Sequence, residues 1–270
     1  MTMLLANIAS IGSGALVGLV LGLVGGGGSI IAVPLLVYAV GIASPHVAIG
    51  TGALAVSASA FGNMIAHWRA GNVKWRCALV FASAGVVGAL AGSTVAKAID
   101  GQKLLALFGL LMIIVGFLML RRKSGSGDPS VRLTRTNARM MLPALLGSGF
   151  AVGLLSGFFG IGGGFLIVPG LMLSTGMPLS FAIGSSLVAV TAFGAATATS
   201  YAFSGLVDWA VATLFIGGGI LGGMGGLVLG RLLSNRKQAL GTVFAVFVIA
   251  VGGYIILRGM TSLASAATLN

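Results

Sequence analysis

The chain is built from long apolar runs, its charged residues stand mainly at the ends of those runs, and no charged residue precedes Arg69. A helix that crosses a bilayer needs about 20 predominantly apolar residues, and several of these runs are that long. Only 7% of the residues are charged, against about 25% in soluble domains. The runs are continuous rather than alternating, so they predict helices. The sequence therefore predicts an all-α integral membrane protein that is a polytopic helical bundle.

Ten apolar segments are predicted, five on each side of a polar linker. They cover residues 3–24, 30–43, 46–68, 75–98 and 102–120, and then 140–159, 165–175, 179–203, 207–230 and 238–257. Residues 121–139 form the linker, which holds six basic residues and one acid. The chain thus divides into a first membrane repeat (1–120), the basic linker, a second repeat (140–258) and a C-terminal tail (259–270). A simple hydropathy count gives eight spans instead of ten, and both counts remain open.

A glycine-rich break occurs at the same place in each half. Residues 22–34 and 157–169 are identical at six of thirteen positions with an offset of 135, and each stretch ends in a proline, Pro34 or Pro169. Glycine is about 1 kcal/mol less favourable than alanine inside a helix, and it leaves backbone N–H groups accessible to a ligand. The pattern predicts glycine-broken helices or re-entrant turns.

A second repeated stretch orients the two halves. Residues 46–75 and 180–209 share nine of thirty positions with an offset of 134. The loop around Arg69 and Lys74 is basic, whereas its counterpart at 204–209 has no basic residue and carries Asp208. Basic loops lie on the cytoplasmic side, so the corresponding loops fall on opposite sides of the membrane. We therefore expect inverted repeats, with the linker in the cytoplasm and both termini outside.

The breaks are the first candidate binding site. Helices that begin at Ser29 and Gly164 would direct N–H groups and a partial positive charge at one point near the middle of the membrane, which suits an anion. Hydroxyls just after a shared Ile-Gly pair are the second group. The predicted substrate-binding residues are Gly25, Gly26, Gly27, Gly28, Ser29, Thr51, Gly160, Gly162, Gly163, Gly164, Ser185 and Ser186. The alternatives are that the glycines only allow close helix packing, and that the hydroxyls bond to their own helices.

Asn63 and His67 are four residues apart and share a helix face. Histidine is a candidate proton carrier, although an ordinary interfacial position beside Trp68 is the favoured interpretation of His67. The chain has three acids, two histidines and one cysteine, so no metal cluster, paired carboxylates or catalytic triad is predicted. The glycine run lacks the Lys-Ser/Thr pair of a phosphate-binding loop. We expect neither an enzyme nor a cofactor. The net charge of +12 resides at segment ends and in the linker, so nucleic-acid binding is not expected.

Taken together, these motifs resemble the TauE/SafE family of sulfite exporters. The resemblance rests on the repeated glycine break before proline, on 46-HxAIGT-51 and 67-HWRxGNVxW-75, and on their counterparts 182-AIGSS-186 and 205-GxVDW-209. It covers both halves, and it implies transport of sulfite, sulfonates or related organosulfur anions across a bacterial inner membrane.

The combined expectation is a secondary transporter that moves a small organosulfur anion by alternating access of two inverted halves. Its partners are the anion and the lipid bilayer, and a homo-oligomer is compatible with the sequence. The alternative functions are a passive anion channel and a non-transporting membrane subunit of a complex.

Overall fold

The computed structural model describes residues 3–24, 26–121, 131, 133, 137–160, 162–232 and 237–267, and within them all regular structure is helical. The first half contains α1 (Met3–Val24), a short segment, α3 (Pro45–Arg69), α4 (Trp75–Lys97) and α5 (Gly101–Arg121). The short segment joins a 3-10 turn (Gly26–Ile31), α2 (Ala32–Pro34) and a π-helical turn (Leu35–Val40). The second half contains α6 (Ala138–Phe159), α7 (Gly164–Thr175), α8 (Leu179–Ala202), α9 (Trp209–Leu232) and α10 (Lys237–Ala267).

The prediction of an all-helical membrane protein is confirmed. Seven of the described helices are long and apolar enough to span a bilayer, and shorter apolar stretches cover Gly27–Val40, Gly164–Thr175 and Ala245–Arg258. Most boundaries agree with the sequence prediction within two residues, and the first short segment and the last helix differ most. The first short segment becomes helical at Gly26 rather than at Ser29, because the glycines take up a tight 3-10 turn. At the other end, α10 continues to Ala267.

The central element is a pair of antiparallel helices, α3 and α8, which hold equivalent positions in the two halves. They cross where the Ser57 hydroxyl donates a hydrogen bond to the Thr191 carbonyl at 2.8 Å. At one end of the pair, the Thr51 hydroxyl accepts a bond from the Asp208 backbone N–H, and at the other the Ser185 hydroxyl accepts one from the Lys74 N–H. The start of each helix therefore lies beside the loop that follows the other.

Glycines hold the flanking helices against this pair. On α1, Gly14, Gly18 and Gly22 lie against the backbone of α9, and on α6, Gly149, Gly153 and Gly157 lie against the backbone of α4. A Cβ on any of these six would overlap main-chain atoms of the neighbouring helix. Small residues allow this close approach in membranes, where dispersion contacts replace hydrophobic burial as the attractive force. Close packing thus accounts for these six glycines.

The remaining long helices, α5 and α10, pack against one another and run antiparallel, with Gly109 beside Gly252. They contact the other helices at aromatic side chains. Phe108 of α5 lies 5.7 Å from Phe159 at the end of α6, measured between ring centroids. Tyr38 and Tyr254 make an edge-to-face contact at 5.3 Å. The pair therefore packs beside the first short segment and the end of α6.

Candidate functional site

The second glycine break is a left-handed turn that leads directly into a helix. Gly160, Gly162 and Gly163 have φ angles of +66°, +61° and +67°, a conformation that costs other L-residues about 1–2 kcal/mol each. Helix α7 begins at the next residue, Gly164, and runs for 12 residues. The first N–H groups of a helix generally have no partners within the helix. In α7 the Leu166 N–H already donates to the Gly163 carbonyl at 2.9 Å, so the candidate donors are the N–H groups of Gly164 and Phe165. The turn therefore presents backbone donors at the positive end of the α7 dipole.

The break lies at the crossing of the central helices. A Cβ placed on Gly162 would be 3.2 Å from a methyl of Val190 on α8 and 3.3 Å from a methyl of Val56 on α3. Those two valines occupy equivalent positions in the two halves. The 3-10 turn Gly26–Ile31 of the first break also packs against α7. The structure thus brings both breaks together beside the midpoint of α3 and α8.

One polar side chain at this point is absent from the sequence prediction. The Ser156 side chain, near the end of α6, is fully buried, and its hydroxyl has no hydrogen-bond partner in the part of the chain that the structure describes. A Cβ on Gly163 would lie 3.0 Å from that hydroxyl oxygen, so the hydroxyl stands beside the residue that caps α7. The equivalent position in the first half is Leu21, so the repeat gave no signal for it.

The first break has a different backbone. Gly25 lies outside the described residues, whereas Gly26, Gly27, Gly28 and Ser29 lie within the six-residue 3-10 turn. None of the glycines described there has a positive φ. Gly28 is packed against α1, where an added Cβ would be 2.6 Å from the Leu21 nitrogen. Ser29 is fully buried. The two glycine breaks, although equivalent in the repeat, therefore form different turns.

The hydroxyls predicted as ligand donors make bonds within the protein. Thr51 and Ser185 are fully buried, and each accepts a backbone N–H at 2.9 Å from the loop of the opposite half. Ser186 donates to the Ile183 carbonyl at 2.8 Å in its own helix. Thr51 and Ser185 stand at opposite ends of the α3–α8 pair, so the structure does not bring them together at the breaks.

Asn63 and His67 lie on α3, on the side that meets α9. Asn63 is buried and donates to the Ser59 carbonyl at 3.0 Å. A Cβ on Gly223 of α9 would be 2.7 Å from the Asn63 amide nitrogen, so the amide fills the contact between the helices. His67 is half-buried, one residue before Trp68, whose ring packs edge-to-face on Trp75 at 5.6 Å.

Two clefts open at opposite ends of the central pair. One, of about 390 Å³, runs from Ser57 and Thr191 to Trp209. Its hydroxyls bond to helix carbonyls, so its accessible lining is mostly apolar. The other, of about 520 Å³, is lined by Lys74, Arg76 and Leu133 among others. Across the described part of the chain, no group of three or more His, Cys, Asp or Glu side chains is placed to hold a metal ion.

Comparison with known proteins decides the family. Residues 10–255 match the family described as Sulfite exporter TauE/SafE. The chain belongs to this family. A probable membrane transporter protein of Xylella fastidiosa (strain 9a5c) is 53% identical over 258 residues, which is 95% of this chain and 97% of the relative. A second relative, the probable membrane transporter protein YunE of Bacillus subtilis (strain 168), is 26% identical across 92% of this chain and 97% of its own length.

A more distant relative, a probable membrane transporter protein of Haemophilus influenzae, is 26% identical over 200 residues, or 71% of this chain and 72% of its own length. No solved structure matches the chain. Membership of the TauE/SafE family and the relatives' shared description make this chain a multi-pass membrane transporter. The predictions of family and of membrane transport are confirmed.

Proposed function

We propose that this transporter moves small organosulfur anions, such as sulfite or a sulfonate, by alternating access of two inverted halves. One observation carries the proposal. The second glycine break joins a left-handed turn, the start of α7 and the unpartnered Ser156 hydroxyl in one buried place beside the α3–α8 crossing. Helix starts of this kind bind anions without a charged side chain, and short or broken helices meeting at the middle of the membrane are typical of transporter binding sites.

The direction of the helices supports inverted halves. Because α3 and α8 are repeat equivalents and run antiparallel, a two-fold axis that exchanged them would lie in the membrane plane. Helix α1 runs parallel to α9, and its equivalent α6 runs parallel to α4, the equivalent of α9. Inversion requires an odd number of crossings in each half, and the two short segments would meet it by crossing the membrane or by returning as re-entrant hairpins.

The proposed orientation in a bacterial inner membrane follows from the basic end of the bundle. The Arg76 guanidinium donates to the carbonyl of Leu133 at 3.4 Å, so the linker and the loop between α3 and α4 meet at the same end. The positive-inside rule assigns that end to the cytoplasm. The basic lining of the cleft at this end would raise the local concentration of anions at the cytoplasmic mouth.

A passive channel is the rival function. It would use the same site but would conduct without saturation, and an anion on one side would not speed the movement of labelled anion from the other. A subunit that only packs against a partner would be unstable when purified alone. The buried, central position of the break favours a transporter, because a continuous open path is not required for a site that faces one side at a time.

The test is uptake of labelled sulfite into proteoliposomes that contain the purified chain. We expect saturable uptake that unlabelled sulfite or methanesulfonate competes away and chloride does not. Uptake no higher than in empty liposomes, from protein shown to be helical and monodisperse, would contradict the assignment of sulfite as a substrate. Linear, unsaturable uptake would support the channel instead.

A further inference from the structure

We propose that the site at the second glycine break selects singly charged oxyanions over doubly charged ones, with the Ser156 hydroxyl as its side-chain donor. This inference rests on the proposed transport function, and it specifies the charge of the ligand and a residue that binds it. Hydrogen sulfite and alkyl sulfonates are singly charged, whereas sulfate, thiosulfate and fully ionised sulfite carry two charges.

Ser156 combines a missing bond with a position beside the start of a helix. The buried Ser59 hydroxyl also has no partner among the described residues, but it faces Gly219 of α9 rather than a helix start. Ser10, which is also buried, donates to the Ala6 carbonyl at 2.8 Å, four residues earlier in its own helix. This local bond is the usual one for serine in an apolar helix. The Ser156 hydroxyl makes no such bond among the described residues. A buried hydroxyl without a partner is unfavourable, and an oxygen of an anion bound at the α7 start would accept a hydrogen bond from it.

The backbone at this site supplies less than one full positive charge. The start of a helix is equivalent to about half of a positive charge, and α7, with 12 residues, is long enough to provide it. The first break does not double this charge, because Gly26–Ile31 is a six-residue 3-10 turn. The backbone therefore compensates part of a single charge.

Among the described residues, the Lys and Arg side chains lie too far away to neutralise a second charge. The Lys74 ammonium lies 4.3 Å from the centre of the Phe181 ring, and Phe181 is nine residues from Val190, or about 13 Å along the helix. At the other end, the Lys97 ammonium donates to the Ser200 carbonyl, about 15 Å beyond Val190. The other described Lys and Arg residues lie in the first or last turn of a helix, apart from Arg258, which stacks on Tyr254 in α10.

These distances decide between the two charge states. The cost of burying an ion in a medium of low dielectric constant rises steeply with its charge, and an uncompensated buried charge is strongly unfavourable. A single charge that receives N–H bonds from the start of α7 and one O–H bond from Ser156 is the better match to the donors present.

The first test compares anions of fixed and variable charge in proteoliposomes. Methanesulfonate keeps one charge at every working pH, whereas sulfite passes from one charge to two near neutrality. We expect sulfite uptake at fixed total concentration to fall several-fold between pH 6 and pH 8, with methanesulfonate uptake unchanged. Sulfate and thiosulfate should compete poorly. Equal competition by sulfate and methanesulfonate would overturn the charge selection and leave transport intact, whereas no saturable uptake of any anion would overturn the transport function itself.

The second test is Ser156→Ala, with Ser10→Ala as the matched control. Loss of a hydrogen bond to a charged ligand should raise the methanesulfonate concentration for half-maximal uptake about tenfold. The melting temperature should stay the same or rise, because the unpartnered hydroxyl is gone. Ser156→Cys keeps the size of the side chain but is a weak donor, so it should also weaken binding. Ser10→Ala should leave the half-maximal concentration unchanged. Unaltered half-maximal concentrations in both Ser156 variants would overturn the role of this residue.

Discussion

Thr51 and Ser185 offer the sharpest separation of a structural role from a ligand-binding role. Each hydroxyl accepts a backbone N–H from the opposite half, of Asp208 or Lys74, at 2.9 Å. Thr51→Val and Ser185→Ala remove the acceptor oxygen with little change of shape. Either change leaves a partly buried N–H group without its partner.

The expected cost is about 1–3 kcal/mol for each variant, which is the usual penalty for an unsatisfied buried donor. Thr51 and Ser185 each stand six residues before the Ser57–Thr191 crossing on antiparallel helices, so they are about 18 Å apart. Effects at such a distance add. The free energy of unfolding of the double variant should therefore fall by the sum of the two single effects, about 2–6 kcal/mol.

Thermal unfolding in detergent, followed by circular dichroism of the helices, measures this loss, and sulfite uptake is measured on the same preparations. Thr199→Val is the control, because its hydroxyl is exposed and bonds only to the Ala195 carbonyl of its own helix. We expect both single variants to melt earlier than this control while still competing for the same anions. If either variant melts like the control yet loses saturable uptake, its hydroxyl binds the ligand and does not serve mainly to satisfy the N–H group of the opposite half.

Two further predictions concern packing. Gly153→Ala should destabilise the bundle, because the new Cβ would overlap the main chain of α4. Its control, Gly147→Ala in the same helix, places the Cβ in open space and should be neutral or stabilising by up to about 1 kcal/mol. Equal melting temperatures of the two variants would refute the close α4–α6 contact. Cys77, the one cysteine of the chain, is buried three residues after Lys74, whose N–H bonds to Ser185. Loss of that bond in Ser185→Ala should loosen the start of α4, so a thiol reagent should label Cys77 faster in this variant than in Thr51→Val. Equal labelling rates would contradict such loosening.

Helix identity and most helix ends were predictable, because the apolar runs are long and end in charged or glycine residues. The predicted segment 165–175 corresponds to α7 at Gly164–Thr175, and 75–98 corresponds to α4 at Trp75–Lys97. These agreements arise because span length and helix termination are local properties of the sequence.

The unequal turns and the fate of the hydroxyls required the tertiary structure. The repeat suggested two equal breaks, but Gly28 is pressed against α1, and the first turn stays 3-10 helical. The sequence suggests Thr51 as a ligand donor, because its bond to Asp208, which is remote in sequence, is visible only in the structure. Ser156 had no counterpart in the first half and so no repeated signal.

The central claim, alternating access at one anion site, is tested most directly by exchange. Proteoliposomes loaded with labelled sulfite are diluted into buffer with or without unlabelled sulfite outside, at a fixed membrane potential. The account predicts that external sulfite accelerates the exit of label, because the loaded site returns faster than the empty one, and that chloride does not. Exit of label at the same rate with and without external sulfite would contradict alternating access and would favour a passive channel.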